Sequence, residues 1–153
     1  MKARLIRLAL ASMVLSGCQR AASVTGASAA AGEVAIRDGV AWGLASSRSS
    51  TIGFRVTAAT ADTLVAVESP DGTATLHTMM DGRMADLLAL PVAGGATVVL
   101  GGGGPHIMLT ETTHGFAPGD SVRIVLQWAR SGRLAFSVPL RNYSDASGLL
   151  EGR

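Results

Sequence analysis

SVRIVLQWARSGRLAFSVPL, residues 121–140, reads as two strands around a turn. Val122, Ile124 and Leu126 alternate with less uniformly apolar neighbours, the period of two that a half-buried strand requires. Ser131-Gly132 punctuates the two runs. A helix would need apolar residues three and four apart between caps, and no window of the chain sustains that pattern.

The same grammar repeats outward from this hairpin. Strands are predicted over 34–42, 52–58, 63–69, 74–79, 84–90, 96–100, 107–111, 121–129 and 134–140. Between them lie Ser69-Pro70-Asp71-Gly72, Asp81-Gly82, Ala93-Gly94-Gly95 and Pro118-Gly119-Asp120, all strong turn chemistry. Many short strands at close spacing predict an all-β sandwich or barrel. The domain is expected over 34–142, long enough to bury a core unaided. Residues 143–153 carry few apolar side chains and are expected to form a C-terminal tail.

The first residues belong to a different class. Lys2, Arg4 and Arg7 precede a short apolar run, Leu8 to Leu15, too short to span a bilayer as a helix. Residues 1–17 therefore read as a secretory signal peptide. Leu15-Ser16-Gly17-Cys18 resembles the lipobox of bacterial lipoproteins, with cleavage before Cys18 and acylation of its thiol. Residues 18–33, small and low in complexity, are expected to tether a lipid-anchored domain. Gln19 leaves the choice between inner and outer membrane open.

Cys18 is the only cysteine of the chain. Once it carries lipid, disulfides, thiolate zinc sites, a Cys nucleophile and a His/Cys blue-copper centre are all excluded. Loss of Lys2, Arg4 and Arg7 also turns the formal net charge from +2 to −1. No basic stripe remains, which argues against nucleic-acid binding.

GGGGPHIML, residues 101–109, raises the question of phosphate or metal. A P-loop needs a Lys after its glycines, and Lys2 is the only lysine. A dinucleotide fingerprint needs a third glycine where His106 or Ile107 stands, followed by a helix. Gly-x-Ser-x-Gly is absent as well, so a serine hydrolase has no anchor. The glycines read as a turn between strands, clearing space beside His106.

Histidine and methionine are concentrated in HTMMDGRM (77–84) and HIM (106–108). His106 and Met108, two apart on a strand, share a face, as do His77 and Met79. A hairpin folded at Asp81-Gly82 pairs Met79 with Met84 and Met80 with Arg83. Met84 then joins the face of His77 and Met79, while Met80 points away. Two imidazoles with two or three thioethers form a soft, neutral donor set, suited to Cu(I) rather than to magnesium or calcium. That is a carrier's requirement rather than a catalyst's. His114 reads as a solvated loop histidine, and Trp42, Trp128, Phe54, Phe116 and Phe136 as core.

At these residues the sequence resembles the periplasmic copper chaperones of the PCu(A)C family. Twenty-one residues separate Met84 from His106, and His106-Ile107-Met108 completes the family's pattern. Ala41-Trp42, TLVAVESP (63–70), PVAGG (91–95) and APGD (117–120) resemble its flanking segments, so the likeness runs from about 36 to 140. The interval between His77 and Met84 is six residues, shorter than the family's, which leaves Met79 as an additional or replacement ligand.

The resemblance implies a cupredoxin-like Greek-key β-sandwich binding Cu(I) through His77, Met84, His106 and Met108. It implies no enzymatic activity. It also implies a place on the periplasmic side of a membrane, delivery towards the Cu-A centre of cytochrome c oxidase, and a Sco-type partner. The competing reading is a β-sandwich envelope or adhesion lipoprotein that binds no metal. A copper-dependent redox enzyme is a weaker third reading, because thioethers disfavour Cu(II).

Overall fold

The computed structural model describes residues 25–43, 48–113 and 115–151. The signal peptide, Cys18 and His114 lie outside the described residues. Eleven strands occur in chain order: β1 (Ala27–Ala31), β2 (Val34–Trp42), β3 (Ser50–Ala58), β4 (Asp62–Glu68), β5 (Thr73–Met80), β6 (Arg83–Asp86), β7 (Leu90–Val92), β8 (Thr97–Leu100), β9 (His106–Thr110), β10 (Ser121–Trp128) and β11 (Gly132–Arg141). Helix α1 (Tyr143–Glu151) follows.

The strands form two packed layers, the all-β sandwich expected from the alternation. One layer holds β1, β2, β3, β5, β6, β8 and β9; the other holds β4, β7, β10 and β11. The opening hairpin pairs Ile124 with Phe136 and Leu126 with Leu134. Beyond Pro139, β11 crosses layers, and Leu140 and Arg141 pair in parallel with Ala41 and Trp42 of β2. Ile36, Ile52, Phe54, Val56, Ile107 and Leu109 from the first layer meet Leu64, Val122, Ile124, Leu126, Trp128 and Val138 from the second. Burial of this continuous apolar surface is the main stabilising term.

Three expectations need correction. Residues 27–31, assigned to the tether, form β1, which completes its hydrogen bonding against β2. The single strand expected over 84–90 is two, because β6 pairs with β5 in one layer and β7 with β4 in the other. The chain changes layers at Leu87-Leu88-Ala89, leaving Leu88 exposed.

The third correction concerns the C-terminal residues, expected as a tail, which form α1. Asn142 is its N-cap, its Oδ1 accepting the N–H of Asp145 at 2.9 Å. Ala146 and Leu150 bury against Val40 and Trp42. That outward position of Val40 follows from a bulge between Arg37 and Val40, where Asp38 adopts φ 55°. One extra residue reverses the faces, so Val34 and Ile36 enter the core while Val40 and Trp42 turn towards α1. Arg55 of β3 secures both features. Its Nε lies 3.2 Å from Asp38 Oδ2, and its Nη2 donates to the carbonyl oxygens of Leu149 and Leu150 at the helix C-terminus.

Asp62 ties the β10–β11 turn to β4. Its buried carboxylate accepts the backbone N–H groups of Thr63 at 2.7 Å, Arg130 at 3.0 Å and Ser131 at 2.9 Å. Burial alone would raise its pKa. Hydrogen bonds from the Ser131 side chain and from the backbone of Thr63, Ser131 and Arg130 outweigh that and hold it below the ordinary carboxylate value. Stability from this shift is present above the unfolded-state value of about 3.9 and is lost as pH falls through the lower folded value. Asp62→Asn is expected to lower stability by about 1–3 kcal/mol at pH 7. Urea unfolding should show the gap to wild type narrowing below about pH 4.

Candidate metal centre

The hairpin between β5 and β6 turns as its sequence demands. Asp81 and Gly82 adopt φ 51° and 74°, the two positive values of a type I′ turn. Met79 then lies opposite Met84, Met80 opposite Arg83, and His77 opposite Asp86. The short interval between His77 and Met84 is therefore the tightest possible hairpin, with both ends still in register.

On its other edge β5 pairs with β9. Leu76 faces Ile107 in the core, which sets His77 opposite His106 and Thr75 opposite Met108 on the outward face. Three cross-strand rows result: Met108, then the two imidazoles, then Met79 with Met84. Successive rows are about 6.6–6.8 Å apart along the strand. The imidazole centroids stand 6.0 Å apart, tilted by 49°. Met80 lies on the opposite face, as its place in the sequence requires.

The glycine run has a more specific role than a turn between strands. β8 and β9 pair with the same edge of β3, Leu100 opposite Phe54 and Ile107 opposite Ile52. Residues 101–105 are thus an excursion from one continuous ladder, closed by Gly101 N–H donating to the Pro105 carbonyl and Gly104 N–H to the Gly101 carbonyl. A Cβ at Gly101, where φ is 116°, would lie 2.6 Å from Leu150 Cδ1 and 3.1 Å from Trp42 Cη2. Gly53, across the ladder, is confined by the same two side chains.

Each imidazole has one nitrogen free for a ligand. His106, 7% exposed, has Nδ1 at 2.9 Å from the Gly104 carbonyl. That carbonyl can only accept, so Nδ1 carries a hydrogen, and in the neutral ring Nε2 is the nitrogen with the lone pair. In His77, Nδ1 is buried without a hydrogen-bond partner, and Nε2 stands 3.5 Å from Asp86 Oδ1. Thr51 donates its hydroxyl to Met108 Sδ at 3.4 Å, which fixes that thioether. Met79 and Met84 are 40% and 51% exposed, so the rows run from enclosed to open.

Among the described residues no group of three or more His, Cys, Asp and Glu stands together as a metal site. What collects instead is the imidazole pair flanked by thioethers. His77, His106, Met108, Met79 and Met84 therefore all share one face of one sheet. Asp86 is the member of this cluster that the His/Met pattern missed. Its position directly across the Asp-Gly hairpin from His77 was the available signal.

This architecture is that of a cupredoxin-like domain. The copper-bound PCuAC domain from PmoF2 superposes with a TM-score of 0.65 at 18% identity, over 76% of this chain and 98% of that one. The apo PCuAC domain from PmoF1 gives 0.66 at 16% identity, over 76% and 99%. Apo-DR1885 from Deinococcus radiodurans, solved in solution, gives 0.55 at 16% identity, over 95% and 99%. At these identities the likeness establishes the fold. The chain belongs to the LpqE-like family, described as "Putative lipoprotein LpqE-like", whose model matches residues 34–140. No curated protein matches the sequence.

The glycine excursion supports His106 and can be tested directly. Gly101→Ala is expected to cost about 1–3 kcal/mol through its backbone conformation and the crowding by Leu150 and Trp42. Gly102→Ala, at φ 60° with open space around it, should cost less, about 1 kcal/mol. Thermal unfolding of the two variants checks the order.

Proposed function

We propose that this domain is a Cu(I) carrier, binding the ion through His77, His106, Met108 and a thioether from the Met79–Met84 pair. The observation that carries the reading is the His77–His106 pair, ring centroids 6.0 Å apart on one face of the sheet, with a thioether row on either side. Two nitrogens and two sulfurs leave a bound Cu(I) with its single positive charge, and thioethers favour this soft ion. A site without thiols also withstands an oxidising compartment. The exposed methionine row gives a recipient's ligands access, which suits transfer rather than catalysis. The copper-bound state of a PmoF2 domain with the same fold supports the reading.

The family description supports a lipoprotein; the lipobox then gives Cys18 as the acylated residue after removal of residues 1–17, with the domain held on the periplasmic side of a membrane. Delivery towards the Cu-A centre of cytochrome c oxidase, alongside a Sco-type protein, follows from the PCu(A)C resemblance.

Competition of the purified protein with a Cu(I) chelator tests the reading. His106→Ala and Met108→Leu should each weaken binding more than the roughly 10–100-fold that supporting groups cost. X-ray absorption should count two nitrogens and two sulfurs. Met79→Leu and Met84→Leu, compared with each other, identify which of the pair binds. Wild-type protein that fails to hold Cu(I) against a moderate chelator would leave the metal-free envelope or adhesion module standing.

A further inference from the structure

We infer that Asp86 is a positioning residue for His77, selecting the tautomer that presents Nδ1 to the ion. The inference rests on the copper reading above. It begins from an imbalance: His106 is oriented by a backbone carbonyl, whereas β5 gives His77 no such partner.

A neutral imidazole carries its hydrogen on one nitrogen and a lone pair on the other. Were the hydrogen of His77 on Nδ1, a fully buried donor would be left without an acceptor. With the hydrogen on Nε2, Asp86 Oδ1 lies 3.5 Å from that nitrogen as its acceptor, and the enclosed Nδ1 keeps a lone pair open to a metal ion. A carboxylate that holds the distal N–H of a metal-binding imidazole fixes its ring and raises its basicity. The ladder supplies the alignment, since His77 and Asp86 are directly opposite and share a face.

The two imidazoles are thus held in opposite tautomers, His77 offering Nδ1 and His106 offering Nε2. Asp86 also differs from the Gly104 carbonyl in carrying charge. Beside a donor set that is itself neutral, it supplies one negative charge to the ion's surroundings. The side chain is 77% exposed, so water screens this charge, and what Asp86 offers His77 is a carboxylate oxygen 3.5 Å from Nε2, close enough to tighten into a hydrogen bond. Arg83, the nearest cation along β6, lies on the face of Met80 and does not compensate it.

Ring-nitrogen NMR of His77 in the metal-free, full-length protein tests the assignment without copper. Wild type should show the hydrogen on Nε2. Asp86→Ala should mix or reverse the tautomers, and Asp86→Asn, which keeps an acceptor oxygen, should preserve them. Cu(I) competition should show about a 10–100-fold loss for Asp86→Ala and a smaller loss for Asp86→Asn, with the sulfur count unchanged. Hydrogen on Nδ1 in wild type, or an unchanged tautomer and affinity in Asp86→Ala, would overturn the role. Should wild type bind no Cu(I), the copper reading fails on its own, and the tautomer measurement still decides whether Asp86 orients His77.

Discussion

Side chains alternate along a strand, so the register that buries Leu76 against Ile107 also fixes which residues meet on the outward face. A slip of one residue would drive His77 into the core and expose Leu76 to water. The imidazole pair is therefore held by hydrophobic burial beneath it, with no need for polar contacts between the rings. The hairpin adds its own constraint. Only positive φ at both Asp81 and Gly82 returns β6 in the register that brings Met84 to Met79 and Asp86 to His77.

The outward face is built differently on its far side. There the bulge at Asp38 turns Val40 and Trp42 away from the core, and α1 covers them. Arg55 reaches from the bulge to the last carbonyls of the helix, joining two features that sequence separates widely. Leu150 and the Trp42 ring then press on Gly53 and Gly101, positions where no side chain fits. Helix, bulge and glycine excursion form one packed unit next to His106.

Much of this was legible in the sequence because it depends on local chemistry. Alternation revealed the β10–β11 hairpin, and the Asp-Gly turn gave the Met79–Met84 pairing residue by residue. The parts that escaped depend on partners elsewhere in the fold. Ala27–Ala31 carries only small side chains and is a strand because β2 offers it an edge and Ala27, Ala29 and Ala31 pack on the core. The helix contains Gly148 and spans little more than two turns, so its packing on Val40 and Trp42 matters more than its propensity. MADLLAL reads as one strand, yet the chain leaves one layer and enters the other within it. The His/Met spacing picked out the candidate donors, but which ring nitrogen of each histidine has a partner depends on atoms that spacing does not encode.

The excursion at 101–105 begins and ends on the same edge of β3, with its two ends joined by a hydrogen bond. Its length is therefore decoupled from the register of the strands on either side. Lengthening such a loop costs only a slowly growing closure entropy. Residues added at Gly102 or Gly103, where there is open space, would leave Ile107 opposite Ile52 and His106 opposite His77. The fold thus contains an insertion point immediately beside its candidate donors, where a lineage or an engineer can vary the rim of the site while its floor stays fixed.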